Sequence, residues 1–351
     1  MTEGGASPSP PGSASLAEVG REWTRIGFTG FGGPPAHIAL LRKLVVDRKG
    51  WMDHHEFEDA NAACGLLPGP ASTQLAIFCA YRVAGWPGAI VGGLGFIVPA
   101  VVLILALSVV FLSGAPPAWI KGAGAGAGAA LSPAPFLALP KAAGAGAALF
   151  AGRVRVAATS GLGDAMPFAA VAATGGVGDL IWMAFKVGAL SFGGGFVIVP
   201  LMQGDAVHAF HWMTNAEFLN AVALGQVTPG PVVATTAAVG YGAFGIGGGL
   251  LAAFVAFVPS FSFILLGGDR FERLRGNPNA RAFLAGAGPA AIGAILGSAV
   301  PLAGALSCGW QYAVLGAAAI ALLAARRGVV SVLLAAGTVG AIVALAGGPL
   351  P

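Results

Sequence analysis

Residues 27–33 read Gly-Phe-Thr-Gly-Phe-Gly-Gly, and residues 188–194 read Gly-Ala-Leu-Ser-Phe-Gly-Gly. The two stretches lie 161 positions apart, and this spacing continues along the chain without a gap. When 27–70 is aligned with 188–231, 15 of the 44 positions are identical. Repetition at a fixed spacing is the mark of a duplicated structural unit.

The same spacing relates three further pairs of motifs. They are Trp51-Met52 with Trp212-Met213, Glu56-Phe57 with Glu217-Phe218, and Pro68-Gly69-Pro70 with Pro229-Gly230-Pro231. The sequence therefore predicts two homologous halves, 16–175 and 176–351. Residues 1–15 are rich in Pro, Ser, Gly and Ala and are predicted to be a disordered tail.

The composition is that of a membrane protein. Hydrophobic residues make up 56% of the chain and charged residues only 9%, with a mean hydropathy of +0.83, whereas a soluble domain carries roughly 25% charged residues. Segments 88–113 and 329–347 are long, apolar and uncharged, as a transmembrane helix requires. Because no segment alternates as a barrel strand would, we expect an all-α polytopic membrane protein in contact with membrane lipid.

Two Gly/Pro-rich breaks divide the start of the first half into short helices. Gly32-Gly33-Pro34-Pro35 separates 16–31 from 34–47, and Pro68-Gly69-Pro70 separates 54–66 from 71–84. Helices of about 15 residues measure about 22 Å, which is shorter than the roughly 30 Å hydrocarbon layer. This pattern favours discontinuous or re-entrant helices; ordinary kinked spans are the alternative. The second half repeats the pattern over 177–192, 195–210, 214–227 and 230–244.

Longer apolar segments complete each half, and the charges of the loops give an orientation. Full spans are predicted at 86–113, 118–140, 157–175, 246–266, 283–303, 308–325 and 329–347. The loop 42–49 holds four Lys or Arg, whereas its repeat mate 203–210 holds none. The bias reverses later, with one lysine in 113–121 and four arginines in 267–281. By the positive-inside rule, equivalent loops lie on opposite sides of the membrane, which predicts inverted-topology halves.

A small anion is the ligand that these breaks predict. Arg25 and Lys186 are repeat mates, each two residues before the glycine that opens its Gly-rich stretch. New helices start after each break, and helix N-termini attract anions. The alternative is that both cations extend to the headgroups. The predicted substrate-binding set is Arg25, Gly32, Gly33, Pro68, Gly69, Pro70, Ser72, Gln74, Lys186, Gly193, Gly194, Pro229, Gly230, Pro231 and Thr235.

Polar side chains near the second break could bind the oxygens of an oxyanion or could serve helix packing alone. Glu56 and Glu217 fit a capping box, with Asp53 or Thr214 as N-cap, and could alternatively carry a coupled proton. No cofactor and no nucleic-acid partner are predicted. No metal site is predicted either, because the three cysteines and the pair His54-His55 lack metal-ligand spacing. No catalytic or nucleotide-binding motif is present.

These motifs resemble the chromate ion transporter family. The resemblance covers about 20–305 and rests on Phe31-Gly32-Gly33-Pro34 with His37, on Trp51, and on Leu67-Pro68-Gly69-Pro70 followed by Ser72 and Gln74. The second half matches through Ser191-Phe192-Gly193-Gly194 and Thr228-Pro229-Gly230-Pro231.

The resemblance implies a two-domain secondary transporter that moves chromate outward across the bacterial inner membrane, driven by a proton or ion gradient. Transport of sulfate or another small oxyanion is one alternative. An intramembrane enzyme, with His37 and Ser72 as the candidate base and nucleophile, is a second alternative from a different class. A homodimer is left open as a further partner.

Overall fold

The computed structural model describes residues 14–112, 117–131, 175–191, 198–267, 303–304 and 306–350. Within these ranges every regular element is a helix, which confirms the all-α prediction. The predicted spans 157–175 and 283–303, the end of 118–140 and the glycines Gly193 and Gly194 lie outside the described residues.

Within the described residues the first repeat has five helices, and its breaks lie where the sequence predicts them. Ser15 caps the first helix by accepting a hydrogen bond from the Glu18 N–H at 3.2 Å. The second helix continues as a π-helical stretch over Lys43–Arg48. The helices are α1 (Leu16–Thr29), α2 (Pro34–Arg42), α3 (His54–Leu66), α4 (Ala71–Phe111) and α5 (Ala118–Leu131).

The second repeat reproduces this order with an offset of 161. Its helices are α6 (Val177–Leu190), α7 (Ile198–Gln203, then π-helical over Gly204–Ala209), α8 (Asn215–Val227) and α9 (Thr235–Gly267), followed by α10 (Gly309–Ala319) and α11 (Val329–Leu345). The bounds of α6 and α8 match those of α1 and α3 residue for residue. The duplication in the sequence is therefore a duplication of structure.

The offset changes from 161 to 160 between the Pro-Gly-Pro tip and the reversal in the fourth helix. Gly85 in α4 has φ +65° and corresponds to Gly245 in α9, which has φ +63°. A short 3₁₀ turn, Val232–Ala234, precedes α9 and has no counterpart before α4. The second repeat has one residue fewer than the first between its Pro-Gly-Pro tip and its reversal. A 3₁₀ turn rises further per residue than an α-helix, so it suits the shorter segment.

Each fourth helix is in fact two helices that fold back on each other. A β-carbon on Gly88 would clash with the carbonyl oxygen of Ala80, and one on Gly249 would lie 2.7 Å from that of Ala237. Residues twelve apart on a straight helix are about 18 Å apart, so the chain must reverse direction at Gly85 and at Gly245. The predicted separation of 71–84 from the following span is confirmed, and the reversal explains it.

The short helices of the first repeat pair as two hairpins, each closed by ion pairs at its base. In the α1–α2 hairpin Arg48 pairs with Glu22, and Lys49 Nζ lies 2.5 Å from Glu18 Oε1. In the second hairpin, formed by α3 and 71–83, Arg82 at the base pairs with Glu56. The tips of the two hairpins are the Phe-Gly-Gly and Pro-Gly-Pro breaks.

The long segments after the reversals pack against each other between repeats. A β-carbon on Gly93 would clash with the Phe261 ring, and one on Gly249 would clash with Leu105. As the residue number rises along α4 it falls along α9, so the two segments pack antiparallel. One continuous core joins the two repeats and includes Phe96 and Phe218.

The outer faces of the long segments are apolar. Large hydrophobic side chains are exposed at every fourth position, which places them in one stripe along each helix. The segments after the reversals, 86–111 in α4 and 246–267 in α9, are each apolar and about as long as a helix that crosses a membrane. Contiguous exposed apolar surface of this kind fits contact with lipid. The stripes are Trp86, Ile90, Leu94, Val98 and Val102, and Ile246, Leu250, Phe254 and Val258.

The small residues of α5 allow close helix packing. A β-carbon on Gly122 or Gly126 would clash with the backbone of Gly340 or Ala336 in α11. These two helices therefore meet backbone to backbone.

Candidate functional site at the hairpin tips

The tip of the first hairpin is built by glycines with conformations that other residues rarely adopt. Gly32 has φ +104° and Gly33 has φ +72°, and Gly33 is the N-cap of α2. Pro34 and Pro35 occupy the first turn of α2 and have no N–H. The N–H groups of the two glycines are therefore the backbone donors that this tip offers.

The Pro-Gly-Pro tips have matching geometry in the two repeats. Gly69 has φ +117° and Gly230 has φ +97°, and both glycines are buried. In the first repeat the intrahelical bonds begin with the Thr73 N–H, which donates to Pro70 O at 2.9 Å. The N–H groups of Ala71 and Ser72 consequently have no acceptor within the helix.

Tips from different repeats touch one another. The Gly230 N–H donates to Gly30 O at 3.0 Å. A β-carbon on Gly230 would lie 3.5 Å from Gly27 O, and one on Gly69 would lie 3.2 Å from Gly188 O. Gly27 and Gly188 are repeat mates, as are Gly69 and Gly230, so the contact is reciprocal. A reciprocal contact is characteristic of two-fold symmetry.

His37 connects the tips of the first repeat. Its Nε2 lies 2.9 Å from Gly30 O, and its Nδ1 lies 3.3 Å from Ser72 Oγ. The ring packs edge-on against Phe96 with centroids 5.0 Å apart. Since Gly30 O also accepts from Gly230, this carbonyl and the His37 ring join three tips at one point.

Several buried polar side chains surround the Pro-Gly-Pro tips. Gln74 Nε2 donates to Pro68 O at 2.7 Å, and Thr235 Oγ1 donates to Val232 O at 2.7 Å. Within the described part of the chain, Thr73 Oγ1, Gln74 Oε1 and Ser191 Oγ are buried without a hydrogen-bond partner. Buried polar atoms are normally paired, so atoms without a partner are candidates for ligand contacts.

The segments around the tips are free of formal charge. No Lys, Arg, Asp or Glu occurs in 26–41, 60–81, 187–204 or 218–267. A ligand held here would meet backbone N–H groups, hydroxyls and amides at the starts of helices. Such groups bind anions without a cationic side chain.

The structure does not bring the two predicted cations to this point. The Arg25 side chain is exposed on α1. Lys186 Nζ lies 2.7 Å from Asp205 Oδ2 on the neighbouring helix and 6.0 Å from the centre of the Trp182 ring. Lys186 therefore already has a counter-charge within its own hairpin.

The repeated position of Glu56 and Glu217 reflects helix capping. In the second repeat Thr214 and Glu217 form a complete capping box, with the Glu217 N–H donating to Thr214 Oγ1 at 3.2 Å. In the first repeat Asp53 Oδ1 accepts from the Glu56 N–H at 2.8 Å, while the Glu56 side chain pairs with Arg82.

Sequence reasoning misses Gly30, although its position just before the Phe-Gly-Gly break is a signal for a helix end. It pairs His37 with Ser72 only in the alternative of an intramembrane enzyme, and the structure brings these two side chains together. His37 is absent from the predicted substrate-binding set. Among the described residues, no group of three His, Cys, Asp or Glu could hold a metal ion.

Comparison with known proteins identifies similar chains. The sequence model of the family described as "Chromate transporter" matches residues 17–175 and 178–342. The chromate transport protein of Cupriavidus metallidurans is 29% identical over 85% of this chain and 88% of its own length. That of Pseudomonas aeruginosa is 28% identical over 95% of this chain and 94% of its own length. A probable chromate transport protein of Synechococcus elongatus is 27% identical over 82% of this chain and 84% of its own. No solved structure matches this chain.

Proposed function

Because this chain belongs to the chromate transporter family, we propose that it transports chromate and binds the ion where the hairpin tips of its two repeats meet. The observation that carries the proposal is the junction at Gly30, His37, Ser72 and Gly230, where tips from both repeats are in contact. Transporters with repeated halves bind their substrate at the interface between the repeats.

The chemistry of the tips suits a small oxyanion. Chromate presents four oxygens and a double negative charge, and it needs hydrogen-bond donors on several sides. The N–H groups of Ala71 and Ser72, the hydroxyl of Ser72 and the glycine N–H groups of the first tip are donors of this kind. Sulfate has the same shape and charge, so it is the alternative substrate.

We further propose that the two repeats are inverted in the membrane and that the halves rock about the tips. Antiparallel packing of the equivalent segments of α4 and α9 supports inversion. The two-fold axis that relates two antiparallel helices is perpendicular to both of them. When the helices cross the membrane, this axis lies in the membrane plane and turns one repeat upside down relative to the other. The reversed charge bias of equivalent loops supports it independently. Each short hairpin enters the membrane and returns, so its tip lies near the midplane.

The direction of transport is outward across the bacterial inner membrane, and an ion gradient supplies the energy. Arg25 and Lys186 remain predictions as counter-charges that attract the anion. Arg25 is exposed and Lys186 pairs with Asp205, which supports a role for both in access of the anion to the site. The tips themselves are the binding groups.

Uptake of radiolabelled chromate into everted membrane vesicles tests the proposal. Vesicles that contain the protein should accumulate chromate above vesicles with a Ser72→Ala, Gly69→Ala double variant expressed to the same level. Unlabelled sulfate should compete if both oxyanions bind at the tips. Equal accumulation in both preparations would contradict chromate transport through this site.

An intramembrane hydrolase is the second candidate, and one observation favours it. The Ser72 Oγ lies 3.3 Å from His37 Nδ1, a contact that nucleophilic serines make with their base. The other nitrogen of His37 contacts a backbone carbonyl rather than a carboxylate. A fluorophosphonate probe should therefore leave Ser72 unlabelled; covalent labelling of Ser72 would favour the hydrolase.

A further inference from the structure

His37 is held in one tautomer by its surroundings. Gly30 O can only accept a hydrogen bond, so the Nε2 atom that lies 2.9 Å from it must carry a proton. In the neutral ring Nδ1 is then unprotonated and accepts the hydroxyl proton of Ser72 across 3.3 Å. The Ser72 oxygen is left with lone pairs only, which repel an anion.

Protonation of His37 reverses the role of Ser72. With a proton on Nδ1, the ring donates to Ser72 Oγ, and the hydroxyl hydrogen must turn elsewhere. Ser72 stands at the start of the helix that follows the Pro-Gly-Pro tip. Its freed hydroxyl becomes a donor to an anion at the tip, and the ring adds a positive charge.

The groups that face the ring do not supply a competing charge. The hydrogen-bond and ring partners of His37 are Gly30, which follows α1, and Ser72 and Phe96 of α4, and all three are uncharged. The nearest charged residue of α1 is Arg25, which is exposed. The nearest in α4 is Arg82, ten residues beyond Ser72 and paired with Glu56. On its own helix it is Arg42, which is exposed and contacts His54.

This arrangement exists once in the protein. The position of His37 in the second repeat is Ile198, and Gly30 is replaced there by Ser191. Of the five histidines, His37 is buried and the other four are exposed. The two repeats therefore contribute unequally to the site, with one titratable group between them.

We infer that His37 takes up one proton when the oxyanion binds, and that the Ser72 hydroxyl transmits this protonation to the anion. The inference rests on the proposed function, since it names the coupling group of the same site. The buffered solution supplies the proton that binds Nδ1 of His37, and the Ser72 hydroxyl rotates without breaking its O–H bond. Bound anion and bound proton stabilise each other, so each raises the affinity for the other.

Calorimetric titration of the purified full-length protein with chromate tests the inference without any mutation. The titration is repeated at one mildly alkaline pH in buffers with different ionisation enthalpies. Chromate is a dianion there, so protons taken from the buffer report on the protein. We expect uptake of about one proton per chromate, and affinity that rises by up to about tenfold for each unit of pH lowered. Binding without proton uptake would overturn the inference.

Variants locate the proton. His37→Gln should bind chromate with little proton uptake, whereas the control His208→Gln, at an exposed histidine, should behave as the wild type does. Ser72→Ala should bind chromate more weakly than the wild type, and its affinity should rise less as the pH is lowered, because the Ser72 hydroxyl donates to the anion only when His37 is protonated. Chromate protonation at acidic pH affects all variants equally.

Two outcomes contradict different claims. Proton uptake that is unchanged in His37→Gln would assign the proton to another group and overturn the inference while chromate binding stands. Absence of chromate binding by the wild type at every pH would overturn the proposed function, and the inference would fall with it. If His37→Gln does not fold, the pH dependence of Ser72→Ala relative to wild type decides the question.

Discussion

Substitution of Gly230 by alanine should disrupt the contact between the repeats. Gly230 has φ +97°, a conformation that L-residues avoid. Its N–H bonds Gly30 O at 3.0 Å, and an added β-carbon would lie 2.8 Å from the β-carbon of Ala100. The variant must therefore either strain this tip or move it away from the first repeat.

The magnitude follows from these terms. An L-residue in a sparsely populated positive-φ conformation costs on the order of 1–3 kcal/mol, and a lost hydrogen bond about 1 kcal/mol. Taking about 2 kcal/mol as the net loss, the arrangement in which the tips meet becomes about thirtyfold less populated. Chromate transport should fall by a similar factor when this arrangement binds the ion.

The assay is chromate accumulation in everted vesicles, normalised to the amount of protein, together with thermal unfolding in detergent. Gly247→Ala is the matched control, because Gly247 lies in α9 of the same repeat and a β-carbon there meets nothing within 4 Å. The control should transport normally. Wild-type transport and unchanged thermal stability in Gly230→Ala would refute the described geometry of the tip.

Two further substitutions test the packing around the site. Lys186→Gln leaves Asp205 without its partner at 2.7 Å and should lower the free energy of unfolding by about 2 kcal/mol, a value already reduced for partial exposure. The double variant Lys186→Gln, Asp205→Asn should recover most of this loss. Thermal denaturation measures both variants, and an equal loss of stability in the two would contradict the pairing. Gly126→Val should separate α5 from α11 at Ala336 and destabilise the fold by about 1–3 kcal/mol. Gly316→Ala is the control, because a β-carbon at Gly316 meets nothing within 4 Å. Equal melting temperatures for the two variants would contradict the close packing.

The positions of helix ends were predictable from the sequence because they depend on local chemistry. Glycine and proline at 32–35 and at 68–70 cannot continue a helix, and the structure breaks at both places. The separation at Gly85 was predicted as well, although a direct reversal of direction was not. That reversal depends on the close approach of Ala80 to Gly88, where the side chains are small or absent. Hydrophobic periodicity in the sequence does not predict such a contact.

The composition of the junction was less predictable, because it depends on contacts between distant parts of the chain. Gly230 and Gly30 are 200 positions apart, and nothing in either stretch identifies the other. Sequence alone placed Arg25 and Lys186 near the breaks, since they are close in number. The face of the helix on which each side chain lies determines what it contacts. Arg25 is on an exposed face, and Lys186 contacts Asp205.

Inversion of the repeats is the central claim, and site-directed labelling tests it most directly. Asp47 and His208 are exposed repeat mates at the bases of equivalent hairpins. Each is replaced singly by cysteine in a chain whose three buried cysteines, Cys64, Cys79 and Cys308, are changed to serine or alanine. A membrane-impermeant maleimide should label Asp47→Cys from the cytoplasmic side only and His208→Cys from the opposite side only. Labelling of both positions from the same side would contradict the account.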